Sequence, residues 1–145
     1  MEHTITIRKA VSEDLNTIFG FICHLEETAF NFEQFQDNYE VNIQHPDFVY
    51  LVAVNESGEA LGFISCHGNN PLHQGGPAFQ IQEIYVARNY RARGIGKQLL
   101  AALEEKLSGN GPQCLDVAMD TKRTDARKFF YKAGFQQTGV KLVKK

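Results

Sequence analysis

No apolar run in this 145-residue chain approaches the ~20 residues needed to cross a bilayer. The N-terminus also carries no signal-peptide h-region. Cysteine is scarce: Cys23, Cys66 and Cys114 are odd in number and scattered, with no Cys-x-x-Cys. That usage argues against a disulfide framework and fits reduced thiols in the cytoplasm, each a small buried apolar residue rather than a nucleophile. An excess of one charge is missing too. A formal net charge of −2 gives no reason to expect nucleic acid or an anionic membrane as partner. No linker, repeat or low-complexity tract breaks the chain, so residues 1–145 read as a single domain, long enough to bury roughly two-thirds of its unfolded surface.

What the chain does have is concentrated between Gln82 and Lys97. A strand, Gln82-Glu83-Ile84-Tyr85-Val86, leads into Arg91-Ala92-Arg93-Gly94-Ile95-Gly96-Lys97 and then into a helix whose Leu99, Leu100, Leu103 and Leu107 share one face. Glycines let the backbone turn tightly, successive N–H groups make a concave nest, and a helix N-terminus adds its positive dipole. The ligand this order suits is a pyrophosphate; a plain turn before a surface helix is the structural alternative. Two other nucleotide motifs are excluded. No Gly-Lys-Ser/Thr follows, and the third glycine of a dinucleotide fingerprint is absent.

The remaining chain predicts alternating strands and helices. A strand over about 4–10 precedes a helix with Ser12 as N-cap and Leu15, Ile18, Phe19, Ile22 and Leu25 on one face. Asn31 caps a second helix that His45-Pro46 ends. Strands at about 48–54 and 60–67 flank the turn Asn55-Glu56-Ser57-Gly58, and a long loop at 68–77 precedes a strand at about 79–86. After the glycine helix come a strand at about 114–119, a helix at about 125–133 and a last strand at about 135–143.

Arg-x-x-Gly-x-Gly resembles the coenzyme A motif of the GNAT N-acetyltransferases. The opening Ile5–Ala10 with Ser12–Leu15, and the closing Asp125–Phe135 with its Gly134-Phe135, resemble that family's first and last elements. The resemblance implies an α/β (α+β) fold: a mixed central sheet with splayed central strands, flanked by about four helices. It implies acetyl-CoA as co-substrate and an acyltransferase acting without a covalent enzyme intermediate. Carried over by position, the main chain of Ile84, Tyr85 and Val86 would pair with the pantetheine arm. The amides of Arg91, Ala92, Arg93, Gly94, Ile95, Gly96 and Lys97 would hold the pyrophosphate. A bulky residue at Gly96 should then weaken coenzyme binding far more than folding.

The chain also departs from the family. Where many members carry an acid tyrosine it has Phe130, with Tyr131 about 100° around the helix; Tyr131 either takes the role or is a surface tyrosine beside a core phenylalanine. Where some carry a glutamate base it has Gln80, which leaves Glu83 as nearest carboxylate, either a base acting through water or one half of an ion pair with Arg8 or Arg91. His67 and His73 are further candidate bases. Asp120 replaces an asparagine, and Lys122, Arg123, Arg127 and Lys128 make a basic cluster suited to a coenzyme phosphate, an anionic acceptor or plain solvation.

Ile81–Ile84 and Lys122-Arg123 before Asp125-Ala126 are similar to the aminoalkylphosphonate branch. That likeness implies a small primary amine as acceptor. A divalent metal is compatible with it, but no ligand spacing supports a site, and a homodimer is compatible too. The other readings are a coenzyme-binding regulatory module without turnover and a peptide or protein N-acetyltransferase.

Overall fold

A computed structural model describes residues 4–109, 114–119 and 123–145. Among these, five strands form one sheet in the order β1 (Thr6–Lys9), β2 (Phe48–Val54), β3 (Ala60–Asn69), β4 (Ala78–Val86), β5 (Cys114–Val117). The first four run antiparallel and β5 runs parallel to β4. The helices are α1 (Leu15–Glu26), α2 (Phe32–Asn42), α3 (Ile95–Ser108) and α4 (Thr124–Lys132).

Both faces of the sheet are covered, which is why β2 reads as the nearly unbroken apolar run Phe-Val-Tyr-Leu-Val-Ala-Val. Its alternate residues separate cleanly. Leu51 and Ala53 pack with Ile95, Leu99, Leu103 and Leu107 of α3, whereas Tyr50, Val52 and Val54 pack with Leu15, Ile18 and Ile22 of α1 and Tyr39 of α2.

Helix α2 begins as expected: the Asn31 side chain accepts from the Gln34 N–H at 2.9 Å. Ser12 is not a cap. It opens a 3-10 turn over Ser12–Asp14, and its hydroxyl donates to Glu40 at 2.8 Å. The entry to α1 is instead held by Asp14, which accepts from the Val11 N–H at 2.8 Å and from both terminal nitrogens of Arg8 at 2.8 and 2.9 Å. A forked arginine–carboxylate contact of this kind ties β1 to α1.

The strand expected at 135–143 does not form. Residues 135–145 have no regular structure, and Val140 and Leu142 are almost fully exposed. Phe135 alone turns inward, its ring 5.1 Å from that of Phe130 and its N–H donating to the Phe130 carbonyl at 3.0 Å. Alternation makes a segment competent for a sheet, but a strand exists only where a neighbour accepts its hydrogen bonds.

Two features set β4 apart from the other strands. Its pairing with β5 stops at Ile81–Val117, so from Gln82 onward β4 has β3 on one side and, among the described residues, no strand on the other. At the same point Ser65 faces Glu83 while Cys66 faces Ile81, which leaves Gln82 as an extra residue in a β-bulge.

Candidate active site

The gap beside β4, beyond its pairing with β5, is edged by main chain. Ala87 donates to Leu61 of β3 at 2.8 Å and Glu83 donates to the Ser65 hydroxyl at 3.1 Å, so both turn towards β3. Successive residues of a strand alternate, so the peptide groups of Ile84 and Val86 face the gap and Tyr85 faces β3. The Val86 carbonyl accepts from Arg91 Nε at 2.8 Å. That bond folds the Arg91 side chain back across the strand end, with its guanidinium 5.2 Å from the Tyr85 ring centre.

Past Val86 the chain makes a short turn over Arg88–Tyr90 and enters α3 through residues Arg91–Gly94, all exposed. Ala92 has φ +63° and Gly94 φ +81°, with Arg93 between them at negative φ. That alternation points successive N–H groups to a common side. The first intrahelical bond of α3 runs from Gln98 to Gly94 at 3.0 Å, and the N–H groups of Ala92 to Lys97 meet no acceptor among the described residues. Free donors, a helix N-terminus and the side chains of Arg93 and Lys97 make a concavity suited to an anion.

The two glycines serve different ends. Gly94 supplies the positive φ, and a Cβ there would meet nothing within 4 Å. Gly96 supplies room for α4: a Cβ would lie 3.2 Å from the Phe129 ring. The expectation that a bulky residue at Gly96 weakens coenzyme binding far more than folding therefore meets a competing effect, because a side chain there also presses on the Phe129 ring.

On the α1 side of the gap stands Glu83. Its carboxylate accepts from the hydroxyl of Ser65, a fully buried residue whose oxygen in turn accepts the Glu83 N–H. Neither arginine weighed as an ion-pair partner reaches it, since Arg8 is engaged with Asp14 and Arg91 with Val86. Burial pushes the Glu83 carboxyl above the ordinary carboxylate range, the Ser65 hydrogen bond pulls it part of the way back, and the charge of Glu26 raises it again. A serine inside the apolar stretch Leu-Gly-Phe-Ile-Ser-Cys gives no hint of this contact, because the bulge that brings the two together has no sequence signature here. Ser65→Ala removes the one hydrogen bond that favours the charged form. The Glu83 carboxyl should then titrate at higher pH than in the wild type, as read by NMR, while an unrelated surface variant leaves it in place.

The other candidates lie apart. His67 Nε2 is 2.8 Å from the Tyr50 hydroxyl, which also accepts from Asn42 at 2.9 Å, and the imidazole stacks on Phe48 with ring centres 3.8 Å apart. Burial, with a smaller contribution from His45, pushes its pKa below the ordinary histidine value. Which of the two donates follows the imidazole tautomer, and in either case this nitrogen is engaged with Tyr50. His73 is exposed in the loop before β4. Gln80 donates to Asp116 across the β4–β5 pair at 3.0 Å.

Phe130 is buried in the α3 core, and Tyr131 is 50 % exposed. Asp120 and Lys122 lie outside the described residues. Among the described residues no group of three His, Cys, Asp or Glu side chains could hold a metal ion, and His67, His73 and Glu83 are not brought together. The Cys66 thiol is buried and pushed up to about 12, which removes it as a nucleophile. A recess of about 900 Å³, lined by Ile5, Asn55, Tyr90, Arg93 and Ile95 among others, touches the exposed turn but not Glu83.

A mixed sheet with β4 left open beyond its pairing with β5, a turn with free amides and a carboxyl raised by burial fit an acyl-transfer fold built around a coenzyme. The chain belongs to the acetyltransferase (GNAT) family, whose model matches residues 10–135. It is 31 % identical over 138 residues to the aminoalkylphosphonate N-acetyltransferase of Salmonella typhimurium, covering 95 % of this chain and 89 % of that protein. Its fold is that of an aminoglycoside N-acetyltransferase, AAC(6')-Iy, in complex with CoA, with a TM-score of 0.87, 20 % identity and 100 % and 96 % of the two chains covered. It is also similar to glucosamine-6-phosphate N-acetyltransferase from Arabidopsis thaliana, with a TM-score of 0.75, 23 % identity and 98 % of each chain covered. The protein is thus an acetyl-CoA-dependent acyltransferase that acts on amine nitrogen. No described helix is long and apolar enough to cross a membrane.

Proposed function

We propose that the protein acetylates the primary amine of a small molecule that also bears an anionic group, with aminoalkylphosphonates as the leading acceptor class. The acceptor class rests on the 31 % identity with the aminoalkylphosphonate enzyme over nearly the whole chain. The single observation that carries the chemistry is Glu83, a largely buried carboxylate with a raised pKa beside an unpaired strand edge.

The acetyl thioester supplies an activated carbonyl carbon and a thiolate leaving group. The free amides of Ala92–Lys97 hold the pyrophosphate, with the guanidinium of Arg91 folded against the strand end. The peptide groups of Ile84 and Val86, flanking Tyr85, take the pantetheine arm as an added strand. Glu83, directly or through a water, removes the proton from the acceptor ammonium, and the freed nitrogen attacks the carbonyl. The new bond is N–C, the broken bonds are C–S and one further N–H, the electron pair leaves on sulfur, and the second nitrogen proton goes to that sulfur. No enzyme nucleophile takes part.

Protonation of the departing sulfur needs little help, because a thiolate is already a fair leaving group near neutral pH. Tyr131, half exposed and with no hydrogen bond to its hydroxyl among the described residues, is the nearest replacement in the chain for the hydroxyl missing at Phe130. Tyr131→Phe should lower kcat by less than about tenfold, or ~1.4 kcal/mol. A thousandfold loss would make that hydroxyl the principal acid.

The deciding experiment follows thiol release from acetyl-CoA against a panel of small amines that includes aminoalkylphosphonates. Turnover on anion-bearing amines is the expected result. Tight coenzyme binding with no turnover on any amine would replace the enzyme reading with a binding module.

A further inference from the structure

Arg123 occupies a position that the coenzyme site does not explain. Its Nη2 donates to Glu26 at 2.9 Å and to the Leu25 carbonyl at 3.2 Å, which joins the start of α4 to the last turn of α1. Helix α1 lies over the free half of β4: the Phe21 ring is 5.0 Å from Tyr85, and the Tyr85 hydroxyl is 3.5 Å from His24 Nδ1. Helix α4 follows β5 in the chain. The bridge therefore ties α1, which covers the face where Glu83 stands, to the element that follows β5.

Only Nη2 is used. The guanidinium's Nη1 and Nε have no acceptor among the described residues, and the side chain keeps about a third of its exposure. Arg127 sits one turn along on the same face of α4. Its Nε is buried and has no hydrogen-bond partner among the described residues. Unmet buried donors are rare, and each calls for a missing partner. Two guanidiniums with unused N–H groups call for an anion with several oxygens.

That anion is not the pyrophosphate. Phe129 seats its ring on Gly96 at the start of α3, so the cradle lies beside the middle of α4, about 9 Å along the helix axis from its N-cap Arg123. Arg127 and Phe129 are about 200° apart around α4, so the arginine face turns away from the cradle.

We infer that Arg123, oriented by Glu26 and the Leu25 carbonyl and supported by Arg127, receives the anionic group of the acceptor and so sets its specificity. The assignment rests on the small-amine reading of the active site and adds the residues that discriminate. The acceptor carries a phosphonate, phosphate ester or sulfonate at one end and an amine that reaches Glu83 at the other. Neutral amines of the same length lack the contact.

The test is steady-state kinetics on the wild-type protein, Arg123→Met and Arg123→Lys, with 2-aminoethylphosphonate, taurine and propylamine as acceptors. Coenzyme affinity is measured by calorimetry on each protein. Wild type should favour 2-aminoethylphosphonate over propylamine at least 100-fold in kcat/KM. Arg123→Met should raise the phosphonate KM about 30-fold or more, keep kcat within threefold, leave coenzyme Kd unchanged and shrink the preference below tenfold. Arg123→Lys should restore part of it. Should Arg123→Met fail to fold, Arg123→Lys and Arg127→Met read the same separation of acceptor KM from coenzyme Kd.

An unaltered phosphonate KM overturns the assignment, as does an equal rise for propylamine or a matching loss of coenzyme affinity. Wild type acetylating all three amines alike removes the role of Arg123 and leaves the small-amine reading standing. Wild type acetylating none defeats both.

Discussion

Glu83→Gln should cut kcat by about 10²–10⁴-fold, the range that a positioned general base contributes, with coenzyme affinity unchanged. Glutamine preserves the shape and still accepts from the Ser65 hydroxyl, so what disappears is the ability to take a proton. In the wild-type enzyme the rate should fall as pH drops through the raised pKa of this carboxyl, above the ordinary carboxylate range. In the variant that limb should be missing.

The same substitution should stabilise the fold near neutral pH. A carboxyl whose folded pKa lies above its unfolded value favours folding below the unfolded pKa, and that advantage is lost as pH rises through the folded pKa. Wild type therefore loses stability as pH rises above the unfolded carboxylate range, and glutamine, which has no such proton to lose, does not. Thermal unfolding of the two proteins at pH 7 and pH 4 checks the sign: the gap in Tm should be wider at pH 7. An unchanged rate in Glu83→Gln would eliminate it as base. A lower Tm at neutral pH would mean that the charged carboxylate has a stabilising partner.

Much of the sheet is legible in the sequence because its strands are covered on both faces. The run Phe48–Val54 is bounded by a Pro-Asp turn and by Asn55–Gly58, and those bounds are the strand's own. The cap at Asn31 is legible because its chemistry is local. Features that depend on distant partners are not. The segment 135–143 alternates like a strand, yet nothing in its own residues says whether a neighbouring edge will accept it. The bulge at Gln82 arises from the pairing of two strands, so Ser65 cannot be matched to Glu83 from either stretch alone. Arg123 stands in a basic cluster that reads equally as solvated helix edge. Its meaning comes from Leu25 and Glu26, nearly a hundred residues earlier in the chain.

Gly94→Val and Gly96→Val should fail in opposite ways, and the contrast tests the cradle more sharply than either alone. Valine at Gly94 cannot hold φ +81° without severe strain, but it meets no neighbour. The exposed turn can relax to ordinary backbone angles at small cost to folding, and in doing so it scatters the N–H groups of Ala92–Lys97. Coenzyme Kd should rise by tenfold to a hundredfold, ~1.4–2.7 kcal/mol, with Tm nearly unchanged. Valine at Gly96 keeps the turn but drives its side chain into the Phe129 ring, already 3.2 Å from where a Cβ would stand. Overpacking of that kind costs roughly 1–3 kcal/mol of stability, so Tm should fall, and coenzyme affinity should fall only as far as α4 is displaced. Calorimetric titration and thermal unfolding of both variants measure the two quantities directly. If Gly94→Val binds coenzyme like wild type, the free amides are not the diphosphate site, because no other variant disturbs them while touching so little else.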